Sequence, residues 1–547
     1  MPFSNLIIAL RPTVYRLIAT AAVGALLLPT VVWILSDRHL WAWDQSYYAA
    51  ATLDLWNTHG TRPWLAAMTS ALRGMPPLLV WLAQFLVPLH AIMPDFESAM
   101  LLVNAAMVFG MLALTYSTAR RMQCGLLASL CGTILVGGSA FVVALSHQYL
   151  VEISQAFAIA LLAAVSWRIE RFSWVRCAAL LVLAIAIAQA AKAQSFVFAV
   201  PLLAYCAVVL WFTRRGTKSP ATGKDRIVLA AALAFCALTA AWYLVNWQFM
   251  IEHFIFSTTA ATVLNWGAHP VDLSFKIPFW VKALDHAISP IEIVSVFLLV
   301  LVSAGLAWGL KQSLARQLGA MLDHAIENGT LFGLVLAGTV LLVILAFSLQ
   351  LNEDTRYLTP LIPLIGILAA WSLSVLRARW LSLIFLAAFI VNAAANHALS
   401  FGVNPWKLSP NGWILPLDPD LGPRSRLQAI ITATCTPETL GHWIILAVNY
   451  ASLNGNSANF FAAKDASTLG HRCLFTNFPL FETDIEKLFA FIDTAQAYYV
   501  ITEEPSSQPS PDWINSNAKP VAERLAQGNR YALSIKIGDV LIYKRNP

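Results

Sequence analysis

The sequence predicts an all-α polytopic membrane domain followed by a small α/β domain. Hydrophobic residues make up 58% of the 547 positions and charged residues only 12%, whereas soluble domains have nearer one half and one quarter. The apolar residues fall in blocks of about 20, the length that crosses a bilayer core as a helix. The last part of the chain is polar and has no such block. We therefore expect a transmembrane domain over residues 1–400 and a separate domain over residues 401–547.

Eleven apolar runs are long enough to cross a bilayer, and their boundaries allow a total of 11–13 spans. The first run follows Arg11 and Arg16 and could be mistaken for a signal peptide. No small-residue cleavage pattern follows it, so we expect a retained span. The eleven runs are 14–35, 98–119, 123–145, 151–167, 177–191, 195–212, 227–249, 291–310, 329–349, 357–376 and 380–400.

A twelfth apolar run, Pro76–Met93, decides the topology. If it crosses, most Lys and Arg residues of the later loops move to the side opposite Arg11 and Arg16. If it does not cross, one side carries more than twice as many Lys and Arg residues as the other up to residue 400, and cytoplasmic loops are the basic ones. We therefore predict that Pro76–Met93 lies as an interfacial helix at the outer surface, within one external loop over 36–97.

The polar C-terminal part has the pattern of a small α/β domain. Tyr499–Thr502 is an apolar strand pattern, and Asp512–Gln527 predicts a helix. Tyr531–Lys544 alternates about Gly538-Asp539, which indicates a β-hairpin. In the topology above this domain is external, that is, periplasmic.

The cysteines divide between the two parts of the chain. Five of the seven lie in apolar runs, where they fill the core. Cys435 and Cys473 lie in the polar C-terminal part. If that part is outside the cytoplasm, a disulfide between them is expected.

The composition excludes several kinds of partner. The formal net charge of +6 is explained by Lys and Arg in cytoplasmic loops. The sequence has no Gly-rich P-loop, no Cys-x-x-Cys pair and no basic repeat. We therefore expect no nucleotide and no nucleic-acid partner, whereas membrane lipids should surround the apolar runs.

The first candidate site is the segment Trp41–Tyr48, directly after the first span. Polar residues at a membrane edge are informative because their burial is costly, and Asp44 among aromatic side chains suits a general base. The alternative is an interfacial aromatic belt in which Asp44 caps a helix over Gln45–Trp56. Aromatic rings can also stack on a sugar face, and the candidates are Trp43, Tyr47 and Tyr48.

The second candidate site is the short external turn Ser146–Glu152. Glu152 lies about one residue into the next apolar run, where an unpaired carboxylate is costly. It should therefore have a partner or a catalytic role, and the alternative is a loop acid that reaches out to water. His147 in the same turn is a candidate substrate contact.

Two cations on the outer side are candidate phosphate ligands. Arg356 precedes a late span and could hold a phosphate by paired hydrogen bonds, or it could form a salt bridge with Glu353 or Asp354. Lys192 is a lone cation between two apolar runs, and it could reach out to water or bind a phosphate. Tyr357, next to Arg356, is a candidate substrate contact.

The later external loop, 250–290, contains several His and acidic residues and is long enough to cover a site. These residue types can bind a metal, but no spacing among them is diagnostic. We therefore expect no required cofactor, and a divalent metal remains an open alternative.

The order of these features resembles the GT-C superfamily of polyprenyl-phosphate-sugar-dependent glycosyltransferases. An acid follows the first span, and a Pro-Pro helix start and a second-turn acid come next. A Lys then lies between the fifth and sixth spans, and Arg-Tyr-Leu-x-Pro-x-x-Pro precedes a late span. The nearest branch is the bacterial one related to protein O-mannosyltransferases and lipid A aminoarabinose transferases. The resemblance covers roughly residues 14–400, and each motif is short.

The resemblance implies roles for the matching residues. Asp44 matches the first-loop acid that activates the acceptor, and Glu152 matches the second-loop acid, so both are candidate catalytic residues. Lys192 and Arg356 match basic residues near the lipid phosphate.

Two departures from the family pattern concern the donor phosphate and a metal. The family's Lys-Pro-Pro is here Met75-Pro76-Pro77, so Arg73 joins the candidate phosphate ligands. The residue after the first-loop acid is Gln45 where the family often has Glu, which weakens the case for a metal.

The resemblance further implies an inverting transferase that uses an undecaprenyl- or decaprenyl-phosphate sugar donor. The acceptor would be an envelope glycolipid, polysaccharide or protein at the periplasmic face of a bacterial inner membrane, with the N-terminus cytoplasmic and the C-terminus periplasmic. Two alternatives stay open. An oligosaccharide ligase or polymerase would use a diphosphate donor and need more basic residues at the outer mouth. A transporter or lipid flippase often has repeated halves, and the sequence shows no clear repeat.

Overall fold

The computed structural model divides into two compact units. The helical unit comprises Met1–Ser36, Met68–Leu79 and Leu101–Leu417, and the α/β unit comprises Asp37–Ala67, Val80–Met100 and Asp418–Pro547. The structure describes residues 3–41, 43–58, 63–167, 169–213, 222–258, 269, 271–314, 329–403, 424–450, 453–469, 472–479, 482–504 and 517–546.

The helical unit is built largely from long apolar helices, as the sequence predicts, and the chain is a multi-pass membrane protein. Within the described ranges, nine helices are long and apolar enough to cross a membrane, and a bent pair would make a tenth. The predicted run at 151–167 is a shorter apolar helix, Glu152–Ser166. The nine are Thr13–Ser36, Phe96–Arg121, Trp174–Ala191, Ser195–Phe212, Gly223–Phe256, Glu292–Leu314, Thr330–Ser348, Thr355–Leu376 and Arg379–Ser400.

The remaining helices are short. Those near the first loop are Trp43–Asn57, Trp64–Ser70 and Leu78–Ala83, and Leu273–Ile288 precedes the helix at 292. The C-terminal helices are Arg424–Thr434, Gly455–Leu469, Ile485–Thr494 and Ala518–Gln527.

Large apolar side chains on the long helices have no protein cover. Leu244 is 76% exposed, Leu341 69% and Leu299 68%. A soluble protein rarely exposes so many large aliphatic side chains to water. A lipid environment accounts for them, because hydrocarbon tails then cover these side chains.

The predicted span at 123–145 is bent where the sequence reads Gly137-Gly138-Ser139. Helices Leu126–Gly138 and Ala140–Ser146 meet there at 52°. Inside a membrane domain, a backbone carbonyl freed by such a break needs a protein donor. The side chain of Asn396 supplies one, because its Nδ2 donates to Gly138 O at 2.7 Å. The sequence analysis treated this run as one straight span, since the partner lies 258 residues away.

The helices Leu126–Gly138 and Thr355–Leu376 cross at a point where both backbones need glycine. A Cβ atom on Gly132 would collide with the carbonyl oxygen of Gly366, and one on Gly366 would collide with Val136. Small residues at such crossings allow close helix approach, which is the main source of packing energy between membrane helices.

The run Pro76–Met93 does not form one continuous helix. It contains the six-residue helix Leu78–Ala83 and the five-residue 3₁₀-helix Val87–Ala91. Neither approaches the length of a span. Phe85 and Ile92 are 58% and 84% exposed, as expected of a segment that contacts lipid.

The C-terminal strands form one five-stranded sheet with the order β2-β1-β3-β5-β4. β1 pairs in parallel with β2 and β3, and β5 pairs antiparallel with β3 and β4. The predicted strand and hairpin at 499–502 and 531–544 are confirmed. The predicted helix is present at Ala518–Gln527, and residues 512–516 lie outside the described ranges. The strands are β1 Trp443–Leu446, β2 Leu474–Asn477, β3 Tyr499–Glu503, β4 Tyr531–Ile537 and β5 Val540–Arg545.

Much of the first external loop belongs to the α/β unit, which differs from the predicted division at residues 400 and 401. The ring of Trp41 stacks on Phe460, with centroids 5.7 Å apart. Phe460 lies on the helix Gly455–Leu469, so the core of this unit includes residues some 400 positions apart. Hydrophobic contacts over such separations leave no local pattern in the sequence.

The disulfide between Cys435 and Cys473 is present, with 38 residues of separation. Replacing both cysteines with serine should lower the free energy of unfolding by about 4 kcal/mol, because a cross-link of this loop length restricts the unfolded chain. Denaturant unfolding of the purified full chain measures this loss.

Reductant should destabilise the parent protein and leave the double variant unchanged. Cys236→Ser, which replaces a free cysteine in the helical unit, is the matched control. Labelling of seven thiols instead of five in the denatured, unreduced protein would contradict the disulfide.

Candidate active site

Lys192 and Glu152 form a buried ion pair in the helical unit. Lys192 Nζ donates to Glu152 Oε1 at 2.8 Å, and the two side chains are 15% and 4% exposed. Lys192 is the C-cap of the helix Trp174–Ala191, and Glu152 begins the helix Glu152–Ser166. Each charge therefore also meets the favourable end of a helix dipole. The sequence analysis expected a partner for Glu152, and this partner is Lys192.

Arg356 is held by the second of its two predicted acidic neighbours. Its Nε and Nη2 donate to both carboxylate oxygens of Asp354 at 2.6–3.1 Å. Asp354 also accepts from the backbone N–H of Arg356 at 3.1 Å and so caps the 3₁₀-helix Thr355–Leu358. Burial raises the pKa of Asp354, but the positive charges of Arg356 and Lys192 outweigh it and lower that pKa. Asp354 is therefore ionised at neutral pH.

Tyr357 connects these two pairs. Lys192 Nζ lies 4.1 Å from the centre of the Tyr357 ring, a distance typical of a cation–π contact. Asn352 Nδ2 donates to the Tyr357 hydroxyl at 3.2 Å. We call Glu152, Lys192, Asp354, Arg356 and Tyr357 the charge cluster.

The charge cluster holds two cations and two carboxylates, so its formal charge is zero. Oxygen Oε2 of Glu152 is buried and has no hydrogen-bond partner among the described residues. Lys192 carries three N–H donors, of which Glu152 accepts one. The cluster can therefore present donors to an added anion without first breaking its own ion pair.

A second buried lysine in this region, Lys276, lies in the later external loop and was not singled out from the sequence. Lys276 is fully buried, and its Nζ contacts Glu353 Oε1 at 2.6 Å and Leu351 O at 2.9 Å. His269 Nδ1 lies 3.1 Å from the other oxygen of Glu353. Burial raises the pKa of Glu353, but the hydrogen bonds from Lys276 and His269 lower it below its usual range. The sequence offered one sign of this burial. Lys276 follows Asp272, the N-cap of the helix Leu273–Ile288, by four residues.

Arg73 lies against the helix Gly223–Thr258 of the helical unit. Its guanidinium carbon is 5.4 Å from the ring centre of Phe249. The segment around it packs on the helix Gly223–Thr258, because Trp242 Nε1 donates to Ala71 O at 2.7 Å and Asn246 Nδ2 donates to Thr69 O at 2.8 Å. The role of Arg73 as a phosphate ligand stays a prediction.

His147, in the short turn after the helix Ala140–Ser146, is buried. Its ring stacks on Trp33 at 4.3 Å with the planes 6° apart. Neither ring nitrogen has a hydrogen-bond partner within the described part of the chain. Burial, and secondarily the neighbouring His397, lowers the pKa of His147 well below its usual range, so the ring is neutral. Its contact with substrate stays a prediction.

Asp44 lies in the α/β unit, in the first turn of the helix Trp43–Asn57. It is half-buried and lies at the positive end of the helix dipole. Trp43, directly before it, has a φ of +34°, a conformation that costs a non-glycine residue about 1–3 kcal/mol.

Trp43 is 43% exposed and Tyr47 is half-buried, whereas Tyr48 is 5% exposed. Trp43 and Tyr47 can therefore offer a face to a sugar, and Tyr48 instead packs inside the unit.

From the sequence, a divalent metal was an open alternative without a diagnostic spacing. In the ranges that the structure describes, no three His, Cys, Asp or Glu side chains lie together as a metal would require.

No family model and no curated protein sequence matches the chain. Several solved structures do match. ArnT from Cupriavidus metallidurans bound to undecaprenyl phosphate has a TM-score of 0.57 at 14% identity, over 96% of this chain and 97% of that chain. Its apo state has a TM-score of 0.54 at 13% identity over the same shares of the two chains. Arabinofuranosyltransferase AftD from Mycobacteria has a TM-score of 0.52 at 14% identity, over 97% of this chain and 40% of that chain.

These similarities concern the fold, because each is found at about one identical residue in seven. They extend over almost the whole chain, including the C-terminal domain. The chain therefore shares its fold with these solved structures, and the predicted GT-C fold is confirmed.

Lys192→Met should lower the free energy of unfolding by about 3–5 kcal/mol, because it leaves the buried Glu152 carboxylate without its counter-charge. Adding Glu152→Gln should restore most of that loss, since no charge then remains unpaired. Denaturant unfolding of the purified protein provides the measurement.

The matched control is the exposed pair Lys536–Glu504, with side chains 48% and 41% exposed. Lys536→Met should cost less than about 1 kcal/mol. If the double variant at 152 and 192 instead showed the sum of the two single losses, the pair would not be coupled as described.

Proposed function

We propose that this chain is an inverting glycosyltransferase that moves a sugar from a polyprenyl-phosphate donor to an acceptor of the cell envelope. The observation that carries the proposal is the charge cluster in a chain of the GT-C fold. A solved structure similar over almost the whole chain is ArnT from Cupriavidus metallidurans bound to undecaprenyl phosphate.

Lys192 and Arg356 are the proposed ligands of the donor phosphate. A polyprenyl-phosphate sugar carries one negative charge, and its phosphate gains a second when the bond to the sugar breaks. Cations fixed in advance stabilise charge that develops in the transition state. Because the leaving group carries two negative charges and the intact donor one, the attraction to these cations is greater for the leaving group.

Asp44 is the proposed general base. The strained backbone at Trp43 supports this assignment, since such strain collects at functional sites. Asp44 takes the proton of the acceptor hydroxyl as that oxygen bonds to the anomeric carbon. The bond from this carbon to the phosphate oxygen breaks at the same time, and polyprenyl phosphate leaves with the electron pair. One direct displacement inverts the anomeric configuration.

The proposed reaction takes place at the periplasmic face of a bacterial inner membrane. The Cys435–Cys473 disulfide supports this, because disulfides persist in oxidising compartments. The distribution of Lys and Arg among the loops also favours it.

Asp44→Asn should lower kcat by about 10²–10⁴-fold, because the amide keeps the shape of the carboxylate but cannot take a proton. Donor binding should be retained. The assay follows transfer of label from a radiolabelled polyprenyl-phosphate sugar to an envelope extract, with a diphosphate donor tested in parallel.

The control is Glu523→Gln, which alters an exposed acid of the same unit, with folding checked for both variants. Full transfer by the folded Asp44→Asn variant would rule out Asp44 as the base. Transfer from the diphosphate donor alone would favour the ligase or polymerase.

Lys192→Met combined with Glu152→Gln should weaken binding of polyprenyl phosphate about tenfold or more, because charge-assisted hydrogen bonds are lost. Binding of polyprenol with the same chain should not change, since it has no phosphate. Lys282→Met, which alters an exposed lysine of the later loop, is the control. Equal weakening for the alcohol and the phosphate would show that the cluster does not bind the phosphate.

A further inference from the structure

We propose that Asn449 of the α/β unit is a positioning residue for Asp44, acting through Trp43. The proposal rests on the function proposed above and assigns the C-terminal part of the chain a role in that reaction. Trp43 Nε1 donates a hydrogen bond to Asn449 Oδ1 at 3.1 Å. The two residues are 406 positions apart in sequence, and Asp44 follows Trp43 directly.

The hydrogen bond involves a residue whose backbone is strained. Trp43 has a φ of +34°, and its free energy would fall if the backbone returned to an ordinary conformation. That return would rotate the start of the helix and move the Asp44 carboxylate. A bond to the indole opposes the rotation, so Asn449 helps to fix the direction of the carboxylate.

The residues before Trp43 are held by the same C-terminal elements. Ser457 Oγ donates to Trp41 O at 2.9 Å, and Ser46 Oγ donates to the same oxygen. The Trp41 ring stacks on Phe460. Trp41 is therefore fixed on both its backbone and its side chain, and the adjustable part of the segment is the turn into Asp44.

Asn449 is itself held in place. Asn477 Nδ2 donates to the backbone oxygen of Val448 at 2.6 Å, and Tyr450 pairs with Leu453 across a short bridge. Asn454 Nδ2 donates to Tyr450 O at 2.9 Å. An acceptor on such a braced loop can orient Trp43, whereas one on an unbraced loop would follow it.

Ion pairs hold the rest of the first loop to the same elements. Lys464 Nζ contacts Glu97 Oε1 at 2.8 Å, and Arg424 Nη1 contacts Asp95 Oδ2 at 2.9 Å. Arg472 pairs with Asp54 on the helix that Trp43 begins. These contacts fix the loop as a whole, and the bond to Asn449 then acts on the single turn that carries the base.

The test compares Asn449→Leu, which keeps the size but removes the acceptor, with Trp43→Phe, which keeps an aromatic face but removes the donor. Each should lower kcat about tenfold, because one hydrogen bond is lost and the base is misplaced, with KM for the donor unchanged. The double variant should be no slower than the slower single variant, since both changes remove one bond. Asn449→Asp keeps the acceptor oxygen and should retain most of kcat.

Asn529→Leu, an exposed asparagine in the same unit, is the control and should keep the parent kcat. Protease resistance and the Cys435–Cys473 disulfide report folding. Normal kcat for Asn449→Leu, or multiplicative losses in the double variant, would overturn the positioning role even where Asp44→Asn is inactive. An active Asp44→Asn variant would instead remove the proposed base itself, so the two failures are distinguishable.

Discussion

The ion pair between Lys192 and Glu152 is the constraint on which the candidate site depends. An ammonium group on a side chain only 15% exposed is costly in an apolar setting unless an anion is close. Glu152 supplies that anion and ties the start of one helix to the end of another. With this pair formed, Tyr357 lies under the Lys192 ammonium, and Asp354 and Arg356 follow on the same short 3₁₀ turn. The cluster thus follows from one requirement for charge balance.

The features that could be predicted from the sequence are those with a local cause. A bilayer needs about 20 apolar residues per helix, so each span is visible in its own segment. The hairpin about Gly538-Asp539 is equally local, and Gly538 has the positive φ that such a turn needs. The need for a partner at Glu152 could also be inferred, because burial of an unpaired carboxylate is costly wherever its partner lies.

The features that could not be predicted depend on contacts between distant residues. The bend at Ser139 follows from the low helix propensity of Gly137-Gly138-Ser139. Its stability depends on the hydrogen bond from Asn396. Burial of Lys276 depends on Glu353, 77 positions later. The membership of Trp41–Trp43 in the α/β unit depends on Phe460, Ser457 and Asn449. None of these pairs has a spacing or a period that marks it in the sequence.

Two carboxylates beside the proposed phosphate site need a physical reason, because they would repel the anion that the cations attract. In the proposed reaction the product, polyprenyl phosphate, is more highly charged than the donor, so uncompensated cations would bind the product most tightly and slow its release. Glu152 and Asp354 lower that affinity while they orient Lys192 and Arg356. Since donors fixed in position need no reorganisation as charge develops, the carboxylates weaken binding overall but preserve the stabilisation of the transition state.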